Sequence, residues 1–264
     1  MKKSTKKLLV AMGMTTVLVT ALTLGKSTTA DENKVYIPDR ALRQDVVRQI
    51  EEPVENELPT TRQIEQVVSV YGGNNGSLEG VQYATNAESI NTSGGYGIID
   101  FRPISGMKNL KEYYSYSSII QGDPLKVLDI SPFGKLINLE KLSFGYANIQ
   151  DFSMLSDLPN LKSVTAFGGY PVKLPTVYVD KATKKFIMEH PVKYSKQFDG
   201  EKVVSGVSGA VLKGNAVEIE NLEEDVSAIN LLFEASSNDE GERFSNSYSN
   251  FYATFSCEIP IVWY

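Results

Sequence analysis

Histidine and cysteine are nearly missing from this 264-residue chain, which has one of each. A zinc centre built from those ligands needs three or four of them, and a disulfide framework needs cysteines in pairs, so a single copy can supply neither. The shortage also counts against most catalysis, and no catalytic residue, metal or cofactor is expected. Eleven prolines and 20 glycines are close to average usage, which excludes a collagen-like array and a proline-rich stalk. Lysine and arginine form no cluster beyond the first 30 residues, which disfavours nucleic acid and anionic lipid as partners. What the chain does have is 42% apolar and 22% charged residues, enough to bury the core of one or two packed domains.

The beginning reads as an export signal. Lys2, Lys3, Lys6 and Lys7 form a basic start, Leu8 to Leu24 an apolar run of 17, and Ser27-Thr28-Thr29-Ala30 a small-residue cleavage site. Residues 1–30 are assigned as a signal peptide cut after Ala30; retention as an anchor is the alternative, since 17 apolar residues sit at the short limit for crossing a bilayer. No cysteine follows the run to carry a lipid, and Trp263-Tyr264 close the sequence without a wall-sorting tail. The expected product is secreted or held non-covalently at the cell surface, with no membrane span in the mature chain. Cleavage removes five lysines and no acid, leaving 21 basic against 32 acidic residues and a net charge of −11. Without disulfides, its stability must come from core burial, as in many proteins exported by single-membrane bacteria.

The next feature is a repeat. Segments Asp100–Leu110, Asp129–Leu139 and Asp151–Leu161 superpose with Asp and Asn nine positions apart in each, at Asn109, Asn138 and Asn160. The step from Asp129 to Asp151 is 22 residues and that from Asp100 to Asp129 is 29, so the middle unit carries a seven-residue insertion, placed at Ile120–Lys126. A weaker copy precedes them, with Asn86 lying 23 residues before Asn109 and Ser77 in the place of the Asp. Each unit is expected to be one strand and one return segment that only its neighbours can cover. Leu110, Tyr113 and Ser115, then Leu139, Leu142 and Phe144, then Leu161, Val164 and Ala166 would point inward. The alternate positions would line an exposed sheet: Glu112, Tyr114 and Tyr116; Lys141, Ser143 and Gly145; Ser163, Thr165 and Phe167. A one-residue slip in the inserted unit would instead turn Tyr114 and Tyr116 inward. The repeated Asp residues are expected to bind backbone N–H groups at the start of each return segment.

These residues carry a resemblance to the internalin family of leucine-rich-repeat surface proteins. The motif Asp-x-x-Pro-Leu-x-x-Leu-x-Asn-Leu is similar to Asp100–Leu110 and Asp129–Leu139, and Leu78–Asn86 resembles that family's first repeat. Ile37-Pro38-Asp39 followed by Leu42, Val46 and Ile50 at helical spacing, with Asp39 as N-cap, looks like the family's helical cap. A second capped helix is expected from Thr60-x-x-Gln63 ahead of Ile64, Val67, Val68 and Tyr71. The resemblance implies Asn at the turn after each strand, but Ser118, Ala147 and Gly169 stand there, so that ladder is expected to be absent.

From Pro171 the repeat signature gives way to short alternating runs such as Val177/Val179, Phe186/Met188, Val217/Ile219 and Ile229/Leu231/Phe233. In the last run Phe251, Ala253, Phe255, Cys257, Ile259, Ile261 and Trp263 share one face and Tyr252, Thr254, Ser256, Glu258 and Tyr264 the other. This texture fits an immunoglobulin-like β-sandwich, which the resemblance also implies. The expected fold is α+β: a helical cap at 31–76, about four leucine-rich repeats with a parallel sheet at 77–170, and the sandwich at 171–264.

Residues that invite a catalytic reading have plainer roles. His190 is expected in a surface or turn position, Ser208 lies outside a strand-to-helix elbow, and Cys257 reads as a small buried hydrophobe. Asn238, Glu240 and Glu242 could bind calcium but lack the spacing of a recognised loop, so a solvated turn is expected there, as for the acidic run 218–225. Tyr114, Tyr116 and Phe167 on the sheet are the candidate binding residues, with Lys141 and Glu112 at the rim. The expected function is non-catalytic recognition of a host or bacterial surface protein or a cell-wall glycan, an adhesin-like role in a Gram-positive bacterium. One alternative is a structural component of a surface assembly that binds sibling wall proteins through the sandwich's last strand by edge pairing. A wall-acting hydrolase is another.

Overall fold

The computed structural model describes residues 33–72, 76–92, 100–116, 127–224, 226–239 and 249–264. The expected signal peptide, the insertion at 120–126, Ser118, and Glu240 with Glu242 lie outside the described residues. Residues 33–264 form one compact unit.

Asp39 opens helix α1 (Arg40–Gln49) by accepting the Leu42 amide at 2.9 Å, and Leu42 and Val46 are buried beneath it. Thr60 and Gln63 exchange backbone bonds in a capping box on α2 (Thr61–Ile64). Here the helical spacing fails. Val68 and Tyr71 are exposed, and Ser69–Tyr71 form strand β1, parallel to β2 (Ser89–Asn91) with Val70 buried. A parallel partner satisfies this backbone from outside the segment, and that tertiary contact overrides the local helical pattern.

Strands β3 (Glu112–Tyr116), β4 (Lys141–Gly145) and β5 (Ser163–Ala166) continue the parallel ladder. A short 3-10 turn precedes each of β2 to β5. The turns start alike: the Oδ1 atoms of Asp100, Asp129 and Asp151 accept the amides of Arg102, Ser131 and Ser153 at 3.0, 2.8 and 2.8 Å. Ser77 Oγ does the same for Glu79 at 3.2 Å, so the departure from Asp preserves the bond. Further along each unit, the repeated Asn ties it to the one before. The Nδ2 groups of Asn160, Asn138 and Asn86 donate to the carbonyls of Ile137, Lys108 and Glu65 at 2.9, 3.0 and 2.8 Å.

The solenoid core is aromatic where the middle unit is longest. Phe101, Tyr113, Phe133 and Phe144 all touch one another, with ring centroids 5.0 to 5.9 Å apart and mostly edge-on. On the far side of the strands Ala147 and Gly169 hold the places of the Asn ladder, and a single Asn stands in the position after the first of them. Asn148, one residue beyond Ala147, is buried; its Nδ2 donates to Tyr170 O at 2.8 Å and its Oδ1 accepts from Gly169 N at 3.2 Å. The side chain shifts by one position because Ala147 itself turns into the core.

The remaining strands are β6 (Val172–Lys173), β7 (Val177–Val179), β8 (Phe186–Glu189), β9 (Lys202–Ser205), β10 (Ala210–Lys213), β11 (Ala216–Ile219), β12 (Ala228–Ser236) and β13 (Phe251–Trp263). β8, β11 and β10 make a three-stranded antiparallel sheet. β13 runs antiparallel to β12, and β12 to β9. The start of β13 also lies parallel to β5, so a single sheet passes from the repeats into the C-terminal part in the order β1-β2-β3-β4-β5-β13-β12-β9. Further on, the same side of β13 pairs with β6 and β7. The last strand is thus occupied along both edges, and edge pairing with another chain through it is excluded. Its alternation is as expected, with Phe251, Phe255, Cys257 and Ile259 buried. Burial pushes the Cys257 thiol up to about 11.

Apolar packing crosses the junction. Phe198 stands 5.3 Å from Phe152 of the last repeat and 5.7 Å from Phe251 of β13, while Phe152 N donates to Lys193 O at 2.7 Å.

Candidate binding face

Register decides which side chains the parallel sheet shows. Tyr113 and Ser115 are each 1% exposed, and the Tyr113 hydroxyl lies 3.1 Å from Thr92 Oγ1 inside the core, where burial pushes its pKa up to about 12. Tyr114 therefore faces outward and is half-buried, in line with Asn91 on β2 and Ser143 on β4. The slipped register is not adopted, because it would put the Tyr113 ring outside and break its contacts with Phe101 and Phe133. The Tyr116 backbone pairs with Gly145, but its side chain lies outside the described ones. Gly145, expected on the outer face, is buried, and Tyr146 directly after it takes φ 53 as the chain leaves the sheet.

Charges collect where the strands begin. Glu112 and Lys141 are exposed and paired at 3.3 Å. One residue earlier in each unit the signs alternate across the sheet: Lys111 pairs with Glu88 at 2.7 Å, and Lys162 pairs with Glu140. The hydrogen bond from Lys162 holds the Glu140 carboxyl below the usual carboxylate range, and that to Glu88 raises Lys111. These exposed pairs order the rim of the sheet more than they stabilise the fold.

Above the floor of β3, β4 and β5 lies a groove of about 350 Å³, lined by Glu112, Tyr114, Lys141, Lys162, Thr165 and Asn250, among others. Its size is within the range of small-ligand sites. Phe167, directly after β5, is not one of its lining residues; it is half-buried, with its ring 5.8 Å from that of Tyr252. Tyr252 sits opposite Thr165, and its hydroxyl donates to Glu234 Oε1 at 3.2 Å; burial first, then Glu234, pushes its pKa up to about 12. The structure thus brings together Glu112, Lys141 and Tyr114 in the groove, while Phe167 lies outside it beside Tyr252. Asn250 and Tyr252 escaped sequence reasoning. Alternation did put Tyr252 on the polar face of its strand, but only the β5–β13 pairing puts that face beside the repeats.

The single histidine, His190, lies in the turn directly after β8, where its Nδ1 accepts the Val192 amide at 3.1 Å. It is half-buried, 4.7 Å from the Phe233 ring, and burial lowers its pKa. Asn238 binds Asp199 through both its amide and its side chain. Among the described residues, no group of three or more His, Cys, Asp or Glu could hold a metal ion, and no helix is long and apolar enough to cross a membrane.

Parallel strands fed by 3-10 turns, with Asp and Asn recurring at matched offsets, define a leucine-rich-repeat-like solenoid that runs into further β-structure. No protein-family model and no curated protein matches the chain. The solved structures to which it is similar include internalins and internalin-like proteins of Listeria monocytogenes. The internalin InlF is 24% identical over 55% of this chain and 42% of that protein, with a TM-score of 0.45. The functional domain of InlJ is 15% identical over 77% of this chain and 50% of that one, with a TM-score of 0.37. A fragment of Clostridium perfringens ZmpB, solved with GlcNAc, is 15% identical over 86% of this chain and 37% of that one, at a TM-score of 0.29. In each case the chain spans half or less of the solved protein.

Proposed function

We propose that the chain is a secreted or surface-associated, non-catalytic binding protein that presents the outer face of β3–β5 to a protein or cell-wall glycan. Tyr114, Tyr116 and Phe167 supply apolar contact, and Lys141 and Glu112 orient the partner from the rim. In this reading residues 1–30 are removed on export, 31–76 cap the solenoid, 77–170 are its repeats, and 171–264 form an immunoglobulin-like sandwich whose strands β13, β12 and β9 prolong the repeat sheet. The observation that carries the proposal is the groove over β3–β5, whose floor belongs to a sheet continuous from β1 to β9. A surface already ordered by folding loses little entropy on docking, so a few aromatic residues can provide useful affinity. The test replaces Tyr114, Tyr116 and Phe167 with alanine and measures binding to a glycan array and to purified cell-surface proteins. Loss of about tenfold or more in affinity with an unchanged circular dichroism spectrum supports the reading. Undiminished binding refutes it.

A second reading, attachment to sibling surface proteins through the C-terminal strands, is favoured by one apolar row. Tyr178 is 71% exposed and aligned with Val262 (43%), and Tyr264 (70%) lies two residues further along. Tyr178→Ser with Tyr264→Ser would then abolish binding that the alanine variants leave intact.

A further inference from the structure

Lys193, Lys196 and Lys202 line one cavity of about 420 Å³ together with His190, Tyr194 and Ser195. Among its described lining residues Glu189 is the only acidic one, so three lysines share this wall with one glutamate in a chain whose formal net charge is −6. The expectation that lysines form no cluster is corrected here, because the segment between β8 and β9 sets Lys193, Lys196 and Lys202 on one wall.

Residues of its wall also carry unsatisfied polar atoms. Among the described residues His190 Nε2, Tyr194 Oη, Ser195 Oγ and, next to them, Gln197 Oε1 are buried without a hydrogen-bond partner, and Ser195 is only 2% exposed. Native structures satisfy nearly all such atoms, so four within eight residues need an explanation. His190 Nδ1 is already engaged, 3.1 Å from both the amide and the carbonyl of Val192, which leaves Nε2 over. Lys202 donates to Phe198 O at 2.8 Å and places its ammonium 5.8 Å from the centre of the Tyr194 ring. Aromatic packing fixes the walls, with Tyr194 5.3 Å from Phe198.

We propose that this cavity is a binding site for a small oxyanion, the carboxylate or phosphate group of a low-molecular-weight ligand. The Tyr194 and Ser195 hydroxyls and Nε2–H of His190 donate to the anion, and the lysines neutralise it. A neutral sugar could use the hydroxyls but would gain nothing from the excess of lysine over glutamate on this wall. The site is separate from the sheet face and does not depend on the function proposed for it.

His190 is the chain's only histidine, so its imidazole NMR signals report on this cavity alone. The full chain is titrated with inorganic phosphate, acetate and glucose, with sodium chloride as the ionic-strength control. Saturable shifts are expected with phosphate or acetate at a dissociation constant on the order of 1 mM, and the stronger of the two identifies the anion class. The charged groups facing the imidazole are Lys202, which opposes its protonation, and the other cavity-wall residues Glu189, Lys193 and Lys196. A bound anion among them should raise the imidazole pKa from its burial-lowered value. Ser195→Ala and the surface change Lys196→Ser should each weaken the response about tenfold. The proposal is overturned if no oxyanion gives a saturable shift, if glucose or chloride gives the same one, or if both variants respond like the parent.

Discussion

The Asp45 carboxylate accepts the Tyr71 amide at 2.8 Å, so a helix side chain occupies the place of a neighbouring strand at the edge of β1. Gln49, one turn further along α1, donates to Ser69 O at 2.8 Å and accepts from Val68 N at 3.4 Å. The helix can approach because Gly72 has φ +142 and no side chain; a Cβ there would come within 2.9 Å of Leu42 N. Replacing Asp45 and Gln49 together with alanine should cost about 1–3 kcal/mol in urea unfolding. The uncovered edge should also drive self-association, visible by sedimentation, because exposed strand edges recruit other chains.

The Asn series makes a prediction about the spine of the repeats. Asn138→Ala or Asn160→Ala removes a bond to the preceding unit and should lower stability by about 1 kcal/mol each. Replacement by aspartate should do at least as much harm, since a carboxylate can only accept and the partner is a carbonyl. Thermal unfolding of the two variants at each position checks this.

The four-ring cluster should be the most sensitive part of the core. Phe133→Ala deletes a fully buried ring that touches Phe101, Tyr113 and Phe144, for an expected loss of about 3–5 kcal/mol in chemical denaturation. A loss below about 1 kcal/mol would mean that the rings are not packed as described.

Alkaline pH should unfold the protein through its buried tyrosines. Tyr113 and Tyr252 hold their protons up to about 12, against an ordinary 10. The folded state therefore binds the proton more tightly than the unfolded state, and the stabilisation is complete below pH 10 and lost as pH rises towards 12. Tyr113→Phe should flatten the fall of stability with pH across that window, followed by denaturant unfolding at successive pH values.

Cys257 supplies a probe of global opening. It is fully buried on β13 with its thiol pushed up to about 11, so a thiol reagent at neutral pH should label the native chain only at the rate at which β13 is exposed. Labelling should become immediate in denaturant.

Local periodicity was readable wherever one segment carries the whole signal. The nine-residue step from Asp to Asn marked the return turns, because the Asp bonds an amide two residues on. The alternation at 251–261 marked β13, because burial follows period two along a single strand. The Tyr113/Tyr114 ambiguity was different. Both are tyrosines of similar apolar character, and only contact with Phe101, Phe133 and Phe144 selects the one that turns inward.

The chain alone therefore determined the solenoid units, the helix caps and the buried face of the last strand, since each depends on residues within about one turn or one strand of each other. Tertiary structure decided that Ser69–Tyr71 become a strand, that β5 and β13 share an edge and bring Tyr252 next to Phe167, and that Asn148 takes over from Ala147. It also decided that the wall carrying Lys193, Lys196 and Lys202 is closed by Leu212, Gly214 and Asn215. In each of these cases the hydrogen bond, ring or cavity wall is completed by a different segment of the chain, and no local pattern encodes which segment that will be.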